Sequence, residues 1–217
     1  MNKTKIGVFD SGVGGMSVVH AIREAMPELD VMFANDSQHV PYGDKPPSEI
    51  LKYSLPILKD MESRGCRVIV IACNTLSTLL IEELRRRVQV PLIGLEPMVK
   101  TAAKLTKSGI IVVCATPGTL GSKRYGWLKE TYAHGMKVIE PDCSKWSTMI
   151  ETNKVDHEHI AEEILPACRD GADVIVLGCT HYHWIEEEIE EMVAGKAVVL
   201  QPERPVVARL KKVLSEQ

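Results

Sequence analysis

The chain has no excess of charge, no long apolar run and no closely paired cysteines, and each absence narrows what it can be. Its 26 lysines and arginines against 29 aspartates and glutamates leave a net charge of −3. The isoelectric point is near 6.2. No bulk field therefore draws it to nucleic acid or to an anionic membrane. No stretch nears the length of a membrane span, and the opening MNKTKIGVFDSG reaches Asp10 before a signal-peptide core could form. The expected compartment is the cytoplasm. The six cysteines, at 66, 73, 114, 143, 168 and 179, are then expected as reduced thiols. None are spaced CxxC, which argues against a structural zinc site. Linkers, low-complexity tracts and charge blocks are also missing. The glycine-rich stretch 10–15 lacks both the ending of a phosphate loop and the spacing of a dinucleotide fingerprint. It opens on a carboxylate that would repel phosphate.

What is present is an ordinary globular composition, 45% hydrophobic and 25% charged, in 217 residues. Such a chain can bury about 70% of its unfolded surface, enough for one large domain or two small lobes. Two stretches of it are copies. GCRVIVIACNT (65–75) overlays GADVIVLGCTH (171–181), glycine on glycine and Cys73 on Cys179. Each copy reads as a buried strand that delivers a thiol to the start of an amphipathic helix. Around them, strands are expected at 4–9, 30–34, 91–94, 109–115, 136–140 and 197–200. Helices are expected from Gly15 to about 26, from Ser48 (with Pro56 kinking or interrupting it), and over 76–87. Further helices are read from Pro97, over 118–133, 157–169 and 183–194, and from Val206, with 141–156 a loop. Strands alternating with amphipathic helices predict an α/β fold with mostly parallel sheets flanked by helices. The repeat makes these two pseudo-symmetric lobes, 1–96 and 97–204, with the closing helix 205–217 returning to the first. Asp10, Cys73, Thr116 and Cys179 all fall just past strand ends, where such sheets bind ligands, so one cleft between the lobes could collect them.

Most cysteines are small buried hydrophobes, and Cys66, Cys114, Cys143 and Cys168 are read that way. Cys73 and Cys179 differ in place. A helix N-terminus stabilises a thiolate, and both thiols precede polar residues, Asn74-Thr75 and Thr180-His181. Asp10 is read as polarising or accepting a proton near a thiol, the alternative being a capping residue in a tight turn. Cys179, His181 and His183 have the look of metal ligands, but nothing elsewhere completes a tetrahedral set, so no metal is expected. His181 is read as tuning its neighbouring thiol and His183 as a surface residue.

Five motifs taken together, DSGVGG (10–15), VPYGDK (40–45), ACNT (72–75), ATPGTLGSKRY (115–125) and GCTHY (178–182), resemble the glutamate racemases of the aspartate/glutamate racemase superfamily. The resemblance implies racemisation of glutamate without a cofactor, in a cleft between two pseudo-symmetric lobes. Cys73 would take the α-proton of D-glutamate and Cys179 that of L-glutamate. Asp10 would assist Cys73, and His181 would assist Cys179. Glu151, in CSKWSTMIE, falls at the place of a further assisting carboxylate. Ser11, Tyr42, Gly43, Asn74, Thr75, Thr116, Thr119 and Thr180 would hold the substrate together with Asp10 and His181. The resemblance further implies supply of D-glutamate to peptidoglycan and, as is common in the family, a homodimer. The other readings are an aspartate or broad-specificity racemase, a non-catalytic binder of an acidic ligand, and a Cys-His hydrolase. The hydrolase would need no second cysteine in mirror position. The chain departs from the family pattern in its shorter length, in His183-Trp184 after GCTHY, and in LQPERP (200–205).

Overall fold

The computed structural model describes residues 3–216. The first half runs β1 (Lys5–Asp10), α1 (Met16–Ala25), β2 (Asp30–Asn35), α2 (Pro47–Ser63), β3 (Val68–Ile71), α3 (Asn74–Arg85) and β4 (Leu92–Gly94). The second runs α4 (Val99–Leu105), β5 (Ile110–Cys114), α5 (Pro117–Leu120), α6 (Lys123–Tyr132), β6 (Lys137–Ile139), α7 (Trp146–Glu151), α8 (His157–Arg169) and β7 (Val174–Leu177). A 3₁₀ turn (Thr180–Ile185), α9 (Glu186–Val193), β8 (Val198–Leu200) and α10 (Glu203–Ser215) close it.

The strands form two parallel sheets of four, ordered β2-β1-β3-β4 and β6-β5-β7-β8. The two orders are the same, so each half is a copy of the other in topology as well as in sequence. The strands are apolar on both faces because helices cover both. Ile6, Val8, Val68 and Val70 pack with Val18, Val19 and Ile22 of α1 and with Val206, Val207, Leu210 and Val213 of α10. On the opposite face Phe9, Ile69 and Ile71 meet Ile50, Leu58 and Met61 of α2 and Leu76, Leu80 and Leu84 of α3. The second sheet is clad likewise, by α7, α8 and α9 on one face and by α4 and α6 on the other.

Several local expectations are corrected. Pro56 does not interrupt α2: Leu58 and Met61, just beyond it, are fully buried, and their packing outweighs the one hydrogen bond that proline removes. The stretch 118–133 divides into α5 and α6, because the Ser122 side chain accepts from the Tyr125 N–H and starts a second helix. The expected loop 141–156 contains α7. After Cys179 the chain first takes the tight 3₁₀ turn and becomes α-helical only at Glu186.

In each sheet the strand order reverses between its two central strands, β1 and β3 or β5 and β7, which opens a crevice at their carboxyl ends. Phe9 pairs with Ile71 and Cys114 with Leu177. Two residues further on, the same register sets Ser11 abreast of Cys73 and Thr116 abreast of Cys179.

Candidate active site

Asp10 ends β1 and is wholly buried. Its Oδ2 accepts the Gly15 N–H at 2.9 Å, and both carboxylate oxygens lie 3.3 Å from the Thr180 hydroxyl in the other half. Burial pushes its pKa up, against the pull of His181 and the N–H groups of Gly15, Ser11 and Gly12. Cys73 caps α3: the Leu76 N–H points to its sulfur at 3.5 Å, and the thiol lies 3.5 Å from Ser11 Oγ. The helix terminus does not prevail there. Burial, and after it the Asp10 carboxylate, raise the thiol to about 12, so Cys73 is a thiol at neutral pH rather than the lowered thiolate expected.

Cys179 stands in different company. It caps nothing, because the turn that follows is 3₁₀. Its sulfur faces His181 Nδ1 at 3.6 Å and Ser147 Oγ at 3.6 Å. His181 Nε2 in turn meets Glu151 Oε1 at 2.5 Å. Burial alone would lower the pKa of this ring, but the Cys179 sulfur and Glu151 outweigh it and raise it to about 11. Glu151 is held low by its bond to His181. The ring is therefore an imidazolium at neutral pH, and it supports negative charge on the sulfur it faces.

Close packing between the halves explains two glycines. A Cβ on Gly14 would lie 2.7 Å from the Thr180 carbonyl carbon, and one on Gly43 would lie 2.8 Å from Thr116 Cβ. Both segments can approach only without side chains. The Gly118 N–H then donates to Gly43 O at 3.0 Å. The Val13 N–H reaches Glu151 Oε1 at 3.2 Å. Cys73 and Cys179 are 4% and 7% exposed, so the site is closed around them.

The remaining expected residues gather here, with different duties. Thr75, Thr116 and Thr119 form one hydroxyl cluster across the halves, with Thr75 to Thr116 at 2.9 Å and Thr116 to Thr119 at 3.2 Å. Asn74 is buried with neither amide atom paired, unusual for an interior amide and suited to a polar ligand. The Tyr42 hydroxyl donates to Asp36 Oδ2 at 2.8 Å, so its side chain fixes the loop. Asp36 was not singled out in sequence, where it is one acidic residue in an irregular stretch. Ser147 was also missed, although its spacing from Glu151, one helical turn, was there to be read.

His183 is not a surface residue. Its side chain is 2% exposed, 2.5 Å from Glu203 Oε1 and 3.2 Å from Ser17 Oγ. Glu203 belongs to LQPERP, so two of the departures noted in sequence meet in space. Trp184 is exposed. Among the described residues, no group of three or more His, Cys, Asp or Glu is placed to hold a metal ion.

Known proteins give this geometry its relatives. A glutamate racemase of Methylococcus capsulatus is 38% identical over 212 residues, spanning 96% of this chain and 78% of the relative. One from Ectopseudomonas mendocina is 34% identical over 223 residues, spanning 100% of this chain and 85% of the relative. The crystal structure of Escherichia coli glutamate racemase with L-glutamate and the activator UDP-MurNAc-ala superposes with a TM-score of 0.91. Its identity is 28%, covering 100% of this chain and 84% of that one. The Francisella tularensis glutamate racemase, solved with D-glutamate, gives a TM-score of 0.83 at 26% identity, covering 100% of this chain and 82% of that one. The sequence profile described as Asp/Glu/Hydantoin racemase matches residues 6–208. With its duplicated sheets and paired thiols, the chain belongs to the Asp/Glu/Hydantoin racemase family.

Proposed function

We propose that this chain interconverts L- and D-glutamate without a cofactor, by proton transfer between two cysteines. The observation that carries the reading is that Cys73 and Cys179 follow equivalent strands of two equivalent sheets, each beside its own ionisable partner. Inverting a stereocentre requires a base on one face of Cα and an acid on the other, and a duplicated fold supplies both. Cys179, beside the imidazolium of His181, takes the α-proton of L-glutamate. The C–H bond breaks, an S–H bond forms, and the electron pair passes into the substrate carboxylate. Cys73, protonated at rest, delivers its proton to the opposite face and becomes the thiolate. In the reverse direction the roles exchange, with Asp10 serving the Cys73 side and Glu151 holding His181. Fixed donors stabilise the developing charge. The unpaired Asn74 amide, the hydroxyls of Ser11, Thr75, Thr116, Thr119 and Thr180, and the backbone at Tyr42 and Gly43 are the candidates. Because the thiols are buried, substrate enters when the segments 11–15 and 178–181 part.

Relatives named glutamate racemase support the substrate assignment, as do family structures solved with either enantiomer. A cytoplasmic role supplying D-glutamate for peptidoglycan accords with the UDP-MurNAc-ala activator of the Escherichia coli protein. The test is racemisation of both enantiomers in D2O with no cofactor added. Deuterium should appear at Cα with the wild type, and racemisation should stop in both Cys73→Ala and Cys179→Ala. A folded wild type that racemises aspartate and not glutamate would move the substrate. Inertness towards both would overturn the reading.

A further inference from the structure

The two thiols occupy equivalent points, but the hydroxyl accompanying Cys73 has no counterpart at the matching place. In the first sheet the register carries Ser11 abreast of Cys73, within 3.5 Å of its sulfur. In the second sheet the same register carries Thr116 abreast of Cys179. The Thr116 hydroxyl is bonded across the halves to Thr75 at 2.9 Å. The hydroxyl beside Cys179 comes instead from α7, where Ser147 is 4% exposed and places its Oγ 3.6 Å from the sulfur. One turn further along α7, Glu151 binds His181, which faces the same sulfur. Residues four apart share a helix face, so one short helix serves both polar neighbours of Cys179.

We propose that Ser147 is a catalytic residue: its hydroxyl donates to the Cys179 sulfur and stabilises the thiolate that takes the proton from L-glutamate. This rests on the two-thiol reading above. A buried sulfur anion is costly unless donors surround it, and the hydrogen-bonding side chains at Cys179 Sγ are His181 and Ser147. His181 supplies charge and Ser147 an uncharged donor. The substrate proton goes to sulfur in this step, and the serine keeps its own.

The test reads Cys179 directly. In a Cys73→Ala background, the rate of alkylation of Cys179 by iodoacetamide is followed against pH, with the labelled peptide identified by mass. Ser147→Ala should move the midpoint upward by about one pH unit, leaving roughly tenfold less thiolate below it, whereas Ser147→Thr keeps the hydroxyl and the midpoint. An unchanged midpoint in Ser147→Ala overturns the proposal. In the enzyme with both thiols, Ser147→Ala should lower kcat/KM about tenfold for both enantiomers, whose equilibrium constant is one. Its Cα-deuterium isotope effect should rise for L-glutamate and not for D-glutamate. An equal rise for both would also overturn it. Alkylation needs no turnover, so a wild type that fails to racemise glutamate sinks the functional reading separately.

Discussion

Cys73 and Cys179 follow equivalent strands, yet the groups around them differ. Beside Cys73 lies Asp10, a buried carboxyl group, and burial with that neighbour keeps the sulfur protonated. Beside Cys179 lies His181, kept cationic by the Cys179 sulfur and Glu151. The duplicated fold therefore sets its two thiols among different neighbours, one held protonated by burial and a carboxyl group, the other facing a cationic ring. A perfectly symmetric site would hold two identical thiols with nothing to decide which carries the proton.

The largest expected effect breaks this opposition. Asp10→Asn and His181→Asn should each lower kcat by about 10² to 10³, and they should separate by direction. Asp10→Asn should raise the Cα-deuterium isotope effect with D-glutamate, and His181→Asn with L-glutamate. Equal changes in both directions would mean that the two sides are not distinct.

A middle-sized effect sharpens a second contrast, between two histidines two residues apart. His181 meets Glu151 within its own half and faces the Cys179 sulfur, whereas His183 crosses to Glu203 at the start of α10, which packs on the first sheet. Glu203→Gln weakens a buried contact and should cost about 1 to 3 kcal/mol of unfolding free energy in urea. Glu151→Gln should instead show its larger effect on kcat. Equal stability losses from the two variants would erase the distinction.

The smallest effect is a pH dependence. The His181 pKa is raised on folding, so the stability it contributes is complete below its unfolded value near 6.5 and is lost as pH rises towards about 11. Urea denaturation at pH 7 and pH 9 should show the wild type losing up to about 2 kcal/mol more than His181→Gln over this interval. Parallel behaviour of the two proteins would place the proton elsewhere.

Much of this was legible in the chain because it is local. The apolar runs 68–71 and 174–177 are too continuous for one-sided strands and demand cover on both faces. The copied thiol segments implied matching sheets. What escaped depends on contacts distant in sequence. CSKWSTMIE looked like a loop because a helix of six residues has little stability of its own. Trp146, packed against Tyr182 with ring centroids 5.1 Å apart, anchors it. The turn after Cys179 is 3₁₀ rather than α, and it buries Tyr182 beneath α7 while bringing His181 to the sulfur.

By itself the sequence determined the alternation of strand and helix, the duplication, and which cysteines stand at strand ends, because periodicity and spacing are properties of neighbours along the chain. Only the tertiary structure decided how those thiols ionise, which hydroxyls attend them, and that His183 is buried against Glu203. Those outcomes depend on burial and on charges from segments far apart in sequence, which act only once the two halves close on each other.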